Sequence, residues 1–446
     1  MSDNISLKAT WNQDTLPAGD QTSLAYLLLD IKQDGISSTS AGSGGAQPLN
    51  LSLVLDTSGS MGGAKIQNLK KAVEWVIDHL SPQDTIAITL FDDEVHPLVS
   101  GTKVHDRKAL LAEVDAIKEA GGTAMSKGLA VGLEEAIKGQ GQGVVSRIVL
   151  LTDGQTWGDG EQCIELAARA GAAGIPVTAL GVGAEEDWSI ELLDGIAGES
   201  GGNVDYIAKP EEIAETFETT LRAMQATTAR NLRLTFSPAG GVSARAVYRV
   251  APVISRLWPS MEPSGVATRD SEPTAQPQTG GEATSLTLPL GDIQSADGQT
   301  LLYEVVVPAR KPGSYRLARV LLEYETSGAG NSKGDTTLDL VVDFATGAGK
   351  GPGNPRVMNS VEKATTFKLQ TRALQASMVG DAAAATRNLR AAATRLLNMG
   401  ESELADAAEK EAQKIEDEGQ VSAAATKKLT FDTRKLSATE TARLKE

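Results

Sequence analysis

A short apolar run that ends in regularly spaced oxygen-bearing side chains is the feature that most restricts the fold of this chain. Leu51 to Leu55 predicts a buried strand. Asp56, Ser58 and Ser60 follow it at alternate positions, and a helix-like pattern begins at Lys65. A carboxylate and two hydroxyls on the turn that leaves a strand suit a hard divalent cation such as Mg²⁺. In open parallel sheets, ligands bind at this end of the strands.

Two later stretches add to this set. Thr123 follows two glycines and directly precedes a helical pattern, and Asp153 follows a second apolar run, Ile148 to Leu151. The combined pattern is Asp-x-Ser-x-Ser, then Gly-Gly-Thr, then Thr-Asp-Gly after a strand. It resembles the metal-ion-dependent adhesion site (MIDAS) of von Willebrand factor type A (VWA) domains. The resemblance covers roughly residues 49 to 225, and all five ligand positions are filled in order.

The resemblance implies specific roles for these residues. Ser58 and Ser60 would coordinate the cation directly, and Asp56, Thr123 and Asp153 would bind it directly or through water. The implied ion is Mg²⁺, with Ca²⁺ or Mn²⁺ as alternatives. The protein would leave one position open, which an Asp or Glu side chain of a partner protein fills in the related domains. Two carboxylates and neutral hydroxyls leave a dication electrophilic enough to attract a third carboxylate.

Strands alternate with amphipathic helices through the first half of the chain. Lys65 to Leu80, for example, carries apolar residues at spacings of three and four, which predicts a helix. Such alternation predicts right-handed crossovers and a doubly wound, mostly parallel α/β sheet, as in Rossmann-like folds. This is also the fold that the VWA resemblance implies.

Beyond residue 226 the pattern changes to strands broken by Gly, Pro and Ser, which predicts an antiparallel β-sandwich. We hypothesise that the two N-terminal strands belong to this sandwich, because two strands alone are marginal in water. A third region, rich in Ala and Leu, predicts C-terminal helices. The predicted boundaries are 1–34 for the N-terminal strands, 35–48 for a linker, 49–226 for the VWA domain, 229–345 for the sandwich, 346–356 for a second linker and 357–446 for the helical region. Residues 260–282, rich in Pro, Gly, Ser and Thr, predict a loop.

Composition limits the partners. A net charge of −16 argues against nucleic acid and anionic membranes, since affinity for both comes from Lys and Arg. The single cysteine, Cys163, excludes an intramolecular disulfide and a thiol-rich zinc site. The polar start and the lack of a long apolar run lead us to expect a cytoplasmic, bacterial protein.

Three functions compete at this stage. The first is a non-enzymatic module that binds a partner carboxylate through the cation. The second is a structural scaffold with an unused metal site. The third is a Mg²⁺-dependent phosphohydrolase that uses Asp56, which is disfavoured because Ser58 stands where an acid/base carboxylate is needed. We also expect Asp92, Asp93 and Glu94 to be solvated, and Trp157 either to pack in its loop or to select partners at the rim.

Overall fold

The protein is described by a computed structural model. The structure describes residues 5–33, 47–154, 156, 158–183, 189–225, 229–259, 285–293, 298–326, 333–349, 351–418, 429–430, 432–434 and 436. Trp157, most of the predicted linker 35–48 and the predicted loop 260–282 lie outside these residues.

The central part of the chain forms an α/β domain around one sheet. Its strands are β4 (Leu49–Asp56), β5 (Thr85–Phe91), β6 (Val95–Lys103), β7 (Val145–Thr152), β8 (Val177–Val182) and β9 (Val204–Ile207). Its helices are α1 (Ala64–His79), α2 (Arg107–Asp115), α3 (Met125–Lys138), α4 (Gly160–Ala172), α5 (Ile190–Ser200) and α6 (Ile213–Gln225). The strand order is β6-β5-β4-β7-β8-β9, and all neighbours are parallel except β5 and β6. The predicted doubly wound, mostly parallel sheet is therefore confirmed.

Both faces of this sheet are buried because successive side chains of each strand point to opposite sides. Leu53 and Leu55 of β4 pack with α1, α2 and α6, whereas Val54 packs with α3, α4 and α5. Helix α3 lies close to the sheet because Gly128 and Gly132 face it without side chains. A Cβ at Gly128 would lie 2.7 Å from the ring of Phe91. Helix α3 begins at Met125, two residues after Thr123.

The flanking strands form a β-sandwich of two sheets. One sheet has the order β1-β3-β14-β11-β12 and the other β13-β10-β15-β16-β2. The strands are β1 (Ile5–Trp11), β2 (Thr15–Pro17), β3 (Ser23–Gln33), β10 (Ala229–Pro238), β11 (Ser243–Ala251), β12 (Ser255–Trp258), β13 (Leu286–Ile293), β14 (Gln299–Val307), β15 (Gly313–Thr326) and β16 (Lys333–Ala345). Strand β3 pairs with β14 along its length. The chain therefore leaves the sandwich after β3, forms the α/β domain, and re-enters the sandwich at β10.

Three helices follow the sandwich: α7 (Pro355–Met378), α8 (Ala382–Asn398) and α9 (Ser402–Glu418). Val357, Val361 and Phe367 of α7 cover the outer face of the sheet that contains β3. Helix α7 begins at Pro355, so the last two residues of the predicted linker 346–356 are helical. Asn354 caps this helix by accepting a hydrogen bond from the Arg356 backbone at 3.1 Å.

Buried arginines connect the amino ends of the α/β strands to the sandwich. Arg147 of β7 pairs with Asp292 of β13, and their side chains are 3% and 2% exposed. Arg249 of β11 donates to Asn203 Oδ1 at 2.9 Å, and Asn203 directly precedes β9. A third buried arginine, Arg434, lies beyond the sandwich in the C-terminal region. It pairs with Asp194 of α5 and lies over the ring of Phe367 of α7. The carboxyl ends of the same strands therefore point away from the sandwich.

Candidate metal site

The register of the sheet brings the two predicted carboxylates to the same edge. Leu55 of β4 lies beside Leu151 of β7, so Asp56 and Thr152 are level with each other and Asp153 follows directly. Both Asp56 and Asp153 are fully buried. The chain between them is long, yet parallel pairing places both at the carboxyl ends of adjacent strands.

Asp56 is held on both of its oxygens. Its Oδ1 accepts a hydrogen bond from the Ser58 backbone at 2.8 Å, which forms a local turn. Its Oδ2 accepts one from Thr152 Oγ1 at 2.6 Å. Sequence reasoning missed Thr152, because its hydroxyl acquires this role only when β7 lies next to β4.

The two serines connect Asp56 to Asp153. Ser58 Oγ and Ser60 Oγ are 3.0 Å apart, and Ser60 Oγ donates to Asp153 Oδ1 at 2.7 Å. Ser58 is buried, whereas Ser60 is exposed. The oxygen cluster therefore begins in the interior at Asp56 and reaches the surface at Ser60.

Thr123 reaches the cluster through the glycine turn. The Gly59 backbone donates to Gly121 O at 3.1 Å, which joins this turn to the one that follows β4. A Cβ at Gly154 would lie 3.2 Å from Thr123 Oγ1 and 3.9 Å from Asp56 Oδ2, so both oxygens border the same glycine. The structure thus brings together all five predicted residues: Asp56, Ser58, Ser60, Thr123 and Asp153.

Lys65 is the second residue that sequence reasoning missed. It stands in the first turn of α1, and its Nζ forms an ion pair with Asp153 Oδ2. The Lys65 side chain is 18% exposed, and that of Asp153 is fully buried. Nothing in the local sequence signals this contact, because the partners are 88 positions apart.

The neighbouring acidic loop differs in part from the prediction. Asp92 is buried rather than solvated: its Oδ1 accepts from the Glu94 backbone at 2.9 Å, and His96 Nε2 lies 3.3 Å from Oδ2. Asp93 and Glu94 are exposed as expected. Asp93 also explains the glycine turn, because a Cβ at Gly121, where φ is +56°, would lie 2.5 Å from Asp93 Oδ2.

The electrostatics of the cluster favour a bound cation. Burial and, to a smaller extent, the charge of Asp153 raise the pKa of Asp56 to about 6, although hydrogen bonds from Ser58 and Thr152 lower it. Within the described part of the chain, two buried carboxylates, Asp56 and Asp153, lie beside one ammonium, that of Lys65, which leaves an excess of negative charge. The donor set of carboxylate and hydroxyl oxygens suits Mg²⁺ or Ca²⁺ rather than a thiophilic metal. The residues present therefore fit a hard dication.

Cys163 takes no part in this site. It is buried in α4, and burial raises the pKa of its thiol to about 12. At neutral pH it is therefore a protonated, inert core residue.

Comparison with known proteins identifies the domains. Residues 50–219 match the model of the von Willebrand factor type A domain, and residues 355–439 match the Sll0103-like, C-terminal alpha-helical domain. The central domain is a VWA domain. VWA domains are commonly protein-interaction or scaffold modules.

The similarity extends beyond the VWA domain. The uncharacterized protein sll0103 of Synechocystis is 30% identical over 286 residues, which are 64% of this chain and 63% of that protein. This chain therefore spans less than two thirds of the length of that relative. A von Willebrand factor type A protein from Catenulispora acidiphila superposes with a TM-score of 0.72 over 97% of both chains, at 19% identity. The ArnB paralog VWA2 from Sulfolobus acidocaldarius superposes with a TM-score of 0.59 over 96% of this chain and 99% of that chain, at 16% identity. At such identities these two structures show the shared fold alone.

Every helix within the described ranges is too short or too polar to cross a bilayer.

Proposed function

We propose that the VWA domain carries a working MIDAS and binds a partner protein through a divalent cation. Asp56, Ser58, Ser60, Thr123 and Asp153 hold the cation, which is Mg²⁺ with Ca²⁺ or Mn²⁺ as alternatives. A bound dication supplies Lewis-acid attraction for a carboxylate oxygen. The partner contributes that carboxylate from an Asp or Glu side chain, and no covalent chemistry takes place.

One observation carries this proposal: the oxygen cluster is continuous from a buried carboxylate to an exposed hydroxyl. The buried end, Asp56 and Asp153, provides the charge. The exposed end, at Ser60, is where another protein can approach. The edge also lies opposite the junction with the sandwich in the described part of the chain.

A second function is supported by one contact. The Lys65 ammonium already compensates Asp153, as expected of a scaffold that has no use for a metal. The scaffold and the adhesion module differ in one measurable respect, which is whether partner binding depends on a dication.

The test compares metal-dependent capture by wild type and two variants. Immobilised full-length protein is exposed to a lysate of the source organism in MgCl₂, washed, and eluted with EDTA. Asp56→Ala removes the buried ligand, and the matched control Asp78→Ala removes an exposed carboxylate from α1. We expect the same eluted proteins from wild type and Asp78→Ala and none from Asp56→Ala.

Each captured protein is then purified and its binding measured with its exposed Asp and Glu residues changed in turn. Loss of binding on removal of one carboxylate supports the proposal. Capture that survives both EDTA and Asp56→Ala supports the scaffold instead. Turnover of p-nitrophenyl phosphate that needs Mg²⁺ and Asp56 would contradict a purely adhesive role.

A further inference from the structure

Lys65 occupies a position that its own helix disfavours. It is the second residue of α1, where the unpaired backbone N–H groups give the helix end a partial positive charge. An ammonium there is repelled by the helix and attracted by Asp153. The ion pair with Asp153 is therefore the contact that determines where the Lys65 side chain lies.

The space for this side chain is built into the fold. Gly183 directly follows β8 with φ at +90°, and a Cβ there would lie 2.9 Å from both Cε and Nζ of Lys65. Gly183 therefore leaves room for the end of the Lys65 side chain where it contacts Asp153. At the same time the Lys65 side chain is 18% exposed, so its ammonium borders solvent.

We propose that Lys65 is a tethered cation that competes with the dication for Asp153 and so sets how tightly the site binds metal. The inference rests on the proposed metal site and adds a determinant of its affinity. An ammonium in contact with a ligand carboxylate both satisfies that carboxylate and repels an incoming positive charge. Metal binding displaces the ammonium toward solvent, and loss of the metal restores the ion pair.

Titration calorimetry with MgCl₂ and MnCl₂ on the chelator-treated full-length protein tests the competition. Lys65→Met keeps the length of the side chain without its charge, Lys65→Arg keeps the charge, and Lys71→Met is a matched control on the exposed face of α1. We expect Lys65→Met to bind both ions about tenfold more tightly than wild type. Lys65→Arg and Lys71→Met should stay within about twofold of wild type. The advantage of Lys65→Met should shrink as ionic strength rises, because salt screens the repulsion.

Chemical labelling gives a second readout on the unmodified sequence. Brief acetylation of wild type, followed by peptide mass spectrometry, measures the reactivity of each lysine amine. We expect the labelling of Lys65 to rise several-fold on addition of MgCl₂, while that of Lys71 stays constant. Labelling of Lys65 that does not change in the presence of bound metal overturns the displacement.

The outcomes separate this inference from the metal site itself. If wild type binds metal and Lys65→Met, folded by circular dichroism, binds no more tightly, Lys65 is not a competitor. If Lys65→Met fails to fold, Lys65→Gln replaces it in the same titration. Binding by Lys65→Met but not by wild type supports the competition and refutes the adhesive function. If neither wild type nor the charge-neutral variants give a heat of binding with Mg²⁺, Mn²⁺ or Ca²⁺, both proposals are wrong.

Discussion

The buried charges at the two ends of the central sheet differ in how far they are balanced by charges of opposite sign. At the amino ends, Arg147 meets Asp292 inside the junction with the sandwich, so each buried charge has a partner of opposite sign. At the carboxyl ends, Asp56 and Asp153 lie close together with Lys65 as the nearby cation, so negative charge is in excess. A buried charge that has its partner is largely compensated, whereas an excess of one sign destabilises the folded chain until something binds.

This difference indicates a separate role for each end of the sheet. The junction packs the VWA domain against the sandwich. Gly291 shows how close the approach is, because a Cβ there would lie 1.9 Å from the Gly201 carbonyl oxygen. The opposite edge retains the destabilising arrangement that a cation site needs. Removing a carboxylate should therefore weaken the fold at one end and strengthen it at the other.

The largest effect is expected at the junction. Asp292→Asn leaves the Arg147 guanidinium buried without its counter-charge, and loss of one partner of a buried ion pair costs about 3–5 kcal/mol. Urea denaturation monitored by circular dichroism should show this decrease in the free energy of unfolding. In samples that remain folded, the affinity for Mg²⁺ should be unchanged, since the site is at the other edge.

The control for this variant is Asp339→Asn. Asp339 accepts from Arg319 Nε at 2.8 Å on the sandwich surface, where both side chains are substantially exposed. Solvent screens such pairs, so the unfolding midpoint should change far less. Equal losses in the two variants would show that the junction pair is no more important than a surface one.

The next largest effect is an increase in the free energy of unfolding, expected from a change at Asp56. Burial raises the pKa of Asp56 to about 6, above the value near 3.9 expected in the unfolded chain. The folded state therefore favours the protonated form, and this contribution to stability is lost as the pH rises through about 6. Asp56→Asn removes the ionised group, so in EDTA at pH 8 it should raise the free energy of unfolding by about 1–3 kcal/mol. At pH 4 the gain should vanish.

Urea denaturation of wild type and Asp56→Asn at the two pH values measures this difference. Asp78→Asn, on the exposed face of α1, is the control and should behave like wild type at both. A variant that is less stable than wild type at pH 8 would mean that the hydrogen bonds from Ser58 and Thr152 outweigh the charge.

The sequence predicts the α/β part of the fold well for a physical reason. Helix α1 is buried on one face, so its apolar residues recur at spacings of three and four, whereas strands β5 and β8 are buried on both faces, so they appear as short apolar runs. The fold class, with its parallel sheet, antiparallel sheets and helical end, is confirmed. The boundaries of the domains stay predictions.

Elements with little apolar patterning were missed. Strand β6 is an edge strand in which Val99 is buried while most other residues are exposed or half-buried, so no alternation marks it. Strand β2 has three residues and ends at Pro17, a residue that reads as a turn. It pairs in parallel with β16, far away in the sequence, and only the folded chain reveals that partner.

The candidate site divides in the same way. Asp56, Ser58 and Ser60 share one turn, so their spacing is visible in the sequence, and the Gly-Gly-Thr and Thr-Asp-Gly motifs add Thr123 and Asp153. Thr152 and Lys65 become neighbours of the cluster through strand register and side-chain reach. That these residues hold a cation stays a prediction.

Of the three effects on stability, the smallest is expected where α7 docks on the sandwich. Asp30 of β3 is buried and accepts from Thr300 Oγ1 at 2.8 Å and from Arg356 Nη1 at 2.6 Å. Burial alone would raise the pKa of Asp30, but these hydrogen bonds outweigh it and hold the pKa below its ordinary value. The stabilisation is therefore present at neutral pH and is lost as the pH falls through the lowered pKa.

Asp30→Asn keeps the shape of the side chain and removes its charge. Because the Arg356 side chain is 53% exposed, water compensates part of the loss, and we expect a decrease of about 1–2 kcal/mol at pH 7. Urea denaturation at pH 7 and pH 3 should show the difference from wild type shrinking in acid. This contact then ranks between the junction pair and the surface pair, since Asp30 is buried and its partner is not. A loss as large as that of Asp292→Asn would contradict this ranking and show that the α7 contact contributes as much to stability as the VWA junction.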